Sequence, residues 1–102
     1  MALSINANNN TEAGVWEFKL VGEVDISNAH QFKKRMETAL AEKRQSIVID
    51  LSELLYIDST GLGMIIGVYG SIKKEGLGVK VTNPRDNVKK LLNTSGLDKI
   101  LC

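Results

Sequence analysis

The chain has little of what most often carries chemistry. In 102 residues there is one cysteine, Cys102, and one histidine, His30. A lone cysteine cannot form an intrachain disulfide, and one cysteine with one histidine cannot supply a zinc site of ordinary composition. A Ser-His-Asp triad or a Cys-His pair would each need His30, which sits in the helix-like segment Ala29-His30-Gln31-Phe32 and reads as an ordinary exposed helix residue. Charge of one sign is lacking too. Lys+Arg 13 against Asp+Glu 12 gives a formal net charge of +1, so nothing general draws the protein to nucleic acid or to an anionic membrane. No apolar run approaches the ~20 residues that span a bilayer. Met1-Ala2-Leu3-Ser4 leads into an Asn-rich stretch where an export signal would have its apolar centre. These absences point to a small cytoplasmic protein and away from disulfide scaffolds, membrane spans and multidomain enzymes. What is present is a globular composition, 43% hydrophobic, at a length that fits one domain over residues 1–102.

Along the chain, Leu3, Ile5 and Ala7 alternate with polar residues, and Trp16, Phe18 and Leu20 alternate with Val15, Glu17 and Lys19. Alternation is the strand period, so residues 2–7 and 15–21 read as a hairpin, with the polar run Asn6–Thr11 supplying its turn. Gly22-Glu23-Val24-Asp25 reads as a second turn, with Asp25 or Ser27 capping a helix from about Asn28 to Lys43. Ala29, Phe32, Met36, Ala39 and Leu40 recur at helical spacing there, and Lys33, Lys34, Arg35 and Glu37 form a solvated face. Ile47-Val48-Ile49 reads as a buried central strand ended by Asp50-Leu51, and Ser52–Ile57 as a connection.

A second helix spans residues 60–75, with Leu62, Ile65, Ile66, Tyr69 and Ile72 as its core face. Met64, Val68 and Ser71 fall on another side and would form a mild apolar patch if exposed. Gly63 and Gly67 lie on one side of this helix, a spacing that predicts close approach of a neighbouring backbone. Val79–Thr82 reads as a strand and Asn83-Pro84 as a turn. Asp86–Ser95 reads as a third helix with Val88, Leu91 and Leu92 inward, stopped by Gly96, and Leu97–Leu101 as a last short element. Strands alternating with helices predict an α/β fold with parallel strands joined by crossover helices, and the opening hairpin makes the sheet mixed. No internal repeat, linker or second domain is visible.

The segment with chemical content is Asp58-Ser59-Thr60-Gly61-Leu62-Gly63. It joins Leu54–Ile57 to a helix start, where free N–H groups and a partial positive charge suit a phosphate. Gly61 and Gly63 carry no side chains, and Ser59 and Thr60 bring hydroxyls to a loop end. Plain helix capping uses the same residues, with Asp58 at the positive end of the helix dipole. A nucleotide loop of the Walker type would need Gly-Lys-Ser/Thr, and here Gly63-Met64-Ile65 follows. A nucleophile elbow would need glycine two residues before Ser59, where Ile57 stands.

Taken in order, Gly22-Glu23-Val24-Asp25, Ile47–Ser52, Tyr56-Ile57-Asp58-Ser59-Thr60-Gly61-Leu62-Gly63, Val81-Thr82-Asn83-Pro84 and Ser95-Gly96-Leu97 resemble a STAS domain of the anti-sigma factor antagonist family. The resemblance covers nearly the whole chain, and Asp-Ser-Thr-Gly-Leu-Gly is its most specific part. It implies a single α/β domain whose mixed, mostly parallel sheet of four to five strands carries helices mainly on one side. It also implies a function. Such antagonists bind an anti-sigma factor that is also a serine kinase, and so free a sigma factor. The kinase phosphorylates the serine after the motif aspartate, here Ser59, which switches binding off, and a serine phosphatase reverses the mark. Asp25, Asp58, Ser59, Thr60, Gly61, Leu62, Gly63 and Met64 are the residues implied at the partner surface. Thr60 stands where many members have a second serine. The resemblance implies no enzyme activity, cofactor or metal in this chain, because nucleotide, magnesium and catalytic base belong to the kinase. Other uses of the same domain, as a stress-complex scaffold or a lipid-transport subunit, remain alternatives, as does a nucleotide-binding protein.

Overall fold

Alternating side chains decide the centre of the molecule. In Val15–Val24 the strand period puts Trp16, Phe18, Leu20 and Val24 on one face, and all four are buried. This strand, β2, belongs to a computed structural model that describes residues 2–102. Met1, which opens the segment read above against an export signal, lies outside the described residues. The other strands are β1 (Leu3–Asn10), β3 (Ser46–Ile57) and β4 (Val79–Thr82); the helices are α1 (Ala29–Glu42), α2 (Ser59–Ile72), α3 (Asp86–Ser95) and α4 (Asp98–Leu101). Among the described residues they form one sheet in the order β1-β2-β3-β4. β1 runs antiparallel to β2, whereas β2–β3 and β3–β4 are parallel pairs, crossed by α1 and α2. The mixed α/β sheet is therefore as expected, with four strands.

One sheet face meets the helices. Ile47, Ile49, Leu51, Leu54 and Ile57 of β3 and Val79 and Val81 of β4 share a core with Phe32 and Met36 of α1, Ile65 and Ile72 of α2, and Val88 and Leu92 of α3. Phe18 and Phe32 meet edge to face, with ring centroids 6.4 Å apart. The Trp16 indole N–H donates to the Lys43 carbonyl at 2.9 Å, which ties the end of α1 to β2. The opposite sheet face carries Glu17, Lys19, Asp50 and Lys80, with Lys19 paired to Glu53 at 2.6 Å.

Four boundaries differ from the sequence reading, each for a physical reason. The Asn-rich run is strand, and the turn is Thr11–Gly14. Its amides find partners along the sheet: Asn8 and Asn10 donate to Glu17, and Asn9 accepts from the buried Gln45. Gly22 to Val24 continue β2, because Gly22, at φ 109°, leaves room for the Ala2 carbonyl where a Cβ would sit 2.2 Å from its oxygen. Ser52–Ile57 continues β3 and is no connection. Register shifts between Lys19 and Val21 and between Gly22 and Glu23 each add one residue to β3, so its buried positions run 47, 49, 51, 54 and 57 and the alternation is lost. Arg85 and Asn87 donate to the carbonyls of Ser52 and Leu55 in this bulged stretch. The second helix begins at Ser59 and ends at Ile72, followed by a 3-10 turn over Lys73–Glu75.

The core face of α2 also differs. Leu62, Ile65, Val68 and Ile72 are buried, while Ile66 and Tyr69 are only partly so. The helix has no charged residue over its 14 positions, so periodicity could not fix which stripe turns inward. Gly63, Gly67 and Gly70 would each place a Cβ in open space, so the expected close approach at Gly63 and Gly67 does not occur. Gly61 is the glycine that packing requires: its Cβ would meet Ile57 Cγ1 and Val24 Cγ1, each at 2.7 Å. Gly67→Ala should therefore stabilise the fold by about 0.5–1 kcal/mol through helix propensity. Gly61→Ala should destabilise it by about 1–3 kcal/mol through overpacking. Urea unfolding of both variants checks the opposite signs.

Candidate functional site

The site forms where two parallel strands end together. Val24 of β2 is the register partner of Ile57 of β3, and the Asp58 N–H donates to the Val24 carbonyl at 3.2 Å. Asp25 and Asp58 thus leave neighbouring strands side by side, at the carboxyl ends where open α/β sheets commonly place their binding sites. Asp58 then caps α2, with an extended backbone and a carboxylate Oδ1 that accepts from the Gly61 N–H at 2.9 Å. Capping is thus observed at Asp58, and it fixes the first turn, on which Ser59 is exposed. Thr60 is half-buried beside it.

The loop after β2 is held by its own polar groups. Asp25 Oδ1 accepts from the Ser27 N–H at 2.9 Å and from the Ser27 hydroxyl. These bonds hold the Asp25 carboxyl below its ordinary pKa. Asn28, 8% exposed, accepts from the Asp25 N–H and donates to the Glu23 carbonyl, each at 2.9 Å. The sequence suggested Asp25 or Ser27 as the cap of α1, and neither holds that position. Asn28 occupies the cap position, but its side chain turns back to brace the loop, while the Asp25 carbonyl accepts from the N–H groups of Asn28 and Ala29.

Of the eight residues expected at a partner surface, Ser59 and Gly63 are exposed, and Asp25, Asp58, Thr60 and Met64 are half-buried. Gly61 and Leu62 are buried: Gly61 packs against Val24 and Ile57, and Leu62 is 6% exposed. These two lie in the core beneath the first turn of α2. His30 is exposed on α1. Two residues of the loop escaped the sequence reading. Asn28 was legible only as the start of a helix. Ile26, 75% exposed, was signalled by one apolar residue set among Asp25, Ser27 and Asn28.

The STAS domain family matches residues 6–101, almost the whole described chain. The chain belongs to the STAS domain family. A relative in Paenibacillus polymyxa named anti-sigma F factor antagonist is 35% identical over 86% of this chain and 76% of its own length. One in Bacillus subtilis named anti-sigma-B factor antagonist is 31% identical over 83% of this chain and 77% of its own. Among solved structures, the anti-sigma factor antagonist SpoIIAA in its unphosphorylated form superposes with a TM-score of 0.84 at 22% identity, over 97% of this chain and 86% of that one. Its phosphorylated form does so at 0.75 and 21%, over 97% and 89%. These two likenesses establish the fold of this STAS domain.

Two effects of the loop geometry are measurable in this STAS domain. Asn28→Ala leaves the Asp25 N–H and Glu23 carbonyl without their partner and should cost about 1–3 kcal/mol, with faster amide exchange at Asp25. The Asp25 carboxyl has a lower pKa folded than unfolded. Its contribution is therefore complete above the unfolded value of about 3.9 and is lost as pH falls through the lower folded value. Asp25→Asn should flatten the fall of stability below about pH 4, seen in urea midpoints measured across the acid range.

Proposed function

We propose that this STAS domain is an anti-sigma factor antagonist, switched by phosphorylation of Ser59. The observation that carries the reading is the exposed Ser59 at the first position of α2, set beside the Asp25 loop by the Val24–Ile57 pairing. The relatives named anti-sigma factor antagonists support it, as does the related fold solved in unphosphorylated and phosphorylated forms. In this reading the unmodified surface docks on an anti-sigma factor that is also a serine kinase, and sigma factor is released. Ser59 is then a substrate hydroxyl. The partner contributes ATP, magnesium and the base, and this chain acts as a binding protein. A serine phosphatase restores the unmodified form. The protein works in the cytoplasm without contacting nucleic acid or membrane.

The electrostatics explain how one group could act as the switch. Phosphate adds roughly −1.5 to −2 charge. At the start of α2 the helix dipole tolerates that charge within the protein itself, so the fold stays intact. Across an interface the same charge must lose water beside the carboxylates of Asp25 and Asp58. A thousandfold loss of affinity requires only about 4 kcal/mol, and a mispaired buried charge at an interface costs about that much.

Affinity for the anti-sigma factor kinase of the same genome, measured by calorimetry, tests this. Ser59→Ala should bind as wild type does, and Ser59→Asp at least a hundredfold more weakly. Incubation with the kinase and ATP should place the phosphate on Ser59 by mass mapping. Modification confined to Thr60, or tight binding by the phosphorylated protein, would refute the reading.

A further inference from the structure

We infer that Ile26 is the apolar anchor by which this chain grips its anti-sigma factor, an inference that rests on the antagonist reading above. Among the described residues Ile26 is the most exposed large hydrophobic side chain, at 75%, against 51% for Leu55 and 47% for Tyr56 and Ile100. A scattered apolar residue at a surface needs no explanation by itself. The position of this one does. Val24 and Ile57 are the last paired residues of β2 and β3, so Ile26 and Ser59 each stand two residues beyond the same rung. The apolar side chain and the exposed serine leave the sheet at the same end.

The loop also holds Ile26 outward before any partner arrives. On one side the Asp25 N–H donates to Asn28 Oδ1, and on the other the Ser27 N–H donates to Asp25 Oδ1. Asn28 closes the turn from beneath through the Glu23 carbonyl, and the N–H groups of Asn28 and Ala29 donate to the Asp25 carbonyl. Asp25, Ser27 and Asn28 are thus bonded within the loop, and the Ile26 side chain among them is left exposed. Ordering the loop in advance lowers the entropy lost on docking. An ordered, exposed apolar side chain beside a polar switch residue suits an interface centre that must exclude water. Asp25 acts here as the brace that presents Ile26. The partner surface it fits is an apolar pocket flanked by polar groups that can meet the Ser59 hydroxyl.

Burying one isoleucine is worth a tenfold or greater change in affinity. Binding of the full chain to the anti-sigma factor kinase of the same genome should fall at least tenfold in Ile26→Ser and stay within about threefold in Ile26→Leu. Ile100→Ser is the control, because Ile100 lies beside Ser46 and Gly78, at the opposite ends of the parallel strands. Its affinity should match wild type, and all three variants should keep the wild-type unfolding midpoint. The inference is overturned if Ile26→Ser binds within twofold of a wild type that binds well, or if Ile100→Ser loses as much. A wild-type chain that does not bind the kinase overturns the antagonist reading itself, and the anchor with it.

Discussion

The Asp58 N–H to Val24 carbonyl bond closes the parallel pairing of β2 and β3, and the end of the molecule that carries Ser59 depends on it. Through that bond the chain segments around residues 25 and 58 become neighbours, although 33 positions apart. The start of α2 must then pass close over Val24 and Ile57, which is why residue 61 is glycine. With Gly61 seated, its N–H is available to the Asp58 carboxylate, and the first turn of the helix is capped and aimed. Each step leaves little freedom for the next, so Ser59 is exposed at a defined place on rigid backbone.

The sequence shows most of the fold because its strong signals are local. The alternation at Trp16, Phe18 and Leu20 and the helical spacing from Ala29 to Leu40 are period signals, and the elements found there match them. Misreadings fall where long-range contacts override local chemistry. The asparagines of β1 look like turn residues, yet Glu17 and Gln45 give them partners that only the assembled sheet provides. The bulged part of β3 loses its alternation, and the uniformly apolar α2 hides its phase. The site was legible at Ser59 and Asp58, since capping and hydroxyl chemistry are written in adjacent residues. It was illegible at Asn28, whose two bonds reach back across the loop to Asp25 and Glu23.

Three glycines of α2 show how this helix is held. Gly63, Gly67 and Gly70 each lower intrinsic helix propensity, and none meets a neighbour that would need the space. The helix is therefore maintained by its buried stripe of Leu62, Ile65, Val68 and Ile72 and by the cap at Asp58. Its outer surface has no side chain at the exposed Gly63 and Gly67. In the proposed reading, a partner meets bare backbone at Gly63 beside the hydroxyls of Ser59 and Thr60 and the Met64 side chain. A nearly neutral chain also makes one phosphate conspicuous: adding roughly −2 takes the formal net charge from +1 to about −1.

The two bulges of β3 let the strand run long without changing face. From Trp16↔Ile47 to Val24↔Ile57, β2 advances eight residues and β3 ten, by subtraction of the paired positions. Each extra residue is taken up within its own bulge, so Leu54 after one and Ile57 after both are buried on the face on which Ile47 began. A slip of the pairing by one residue, with no bulge to absorb it, would instead turn Ile57 to solvent and Asp58 toward the core. The stretch between Asp50 and Ile57 thus carries slack in length and none in facing, which lets it resemble a loose connection while delivering Asp58 to one place.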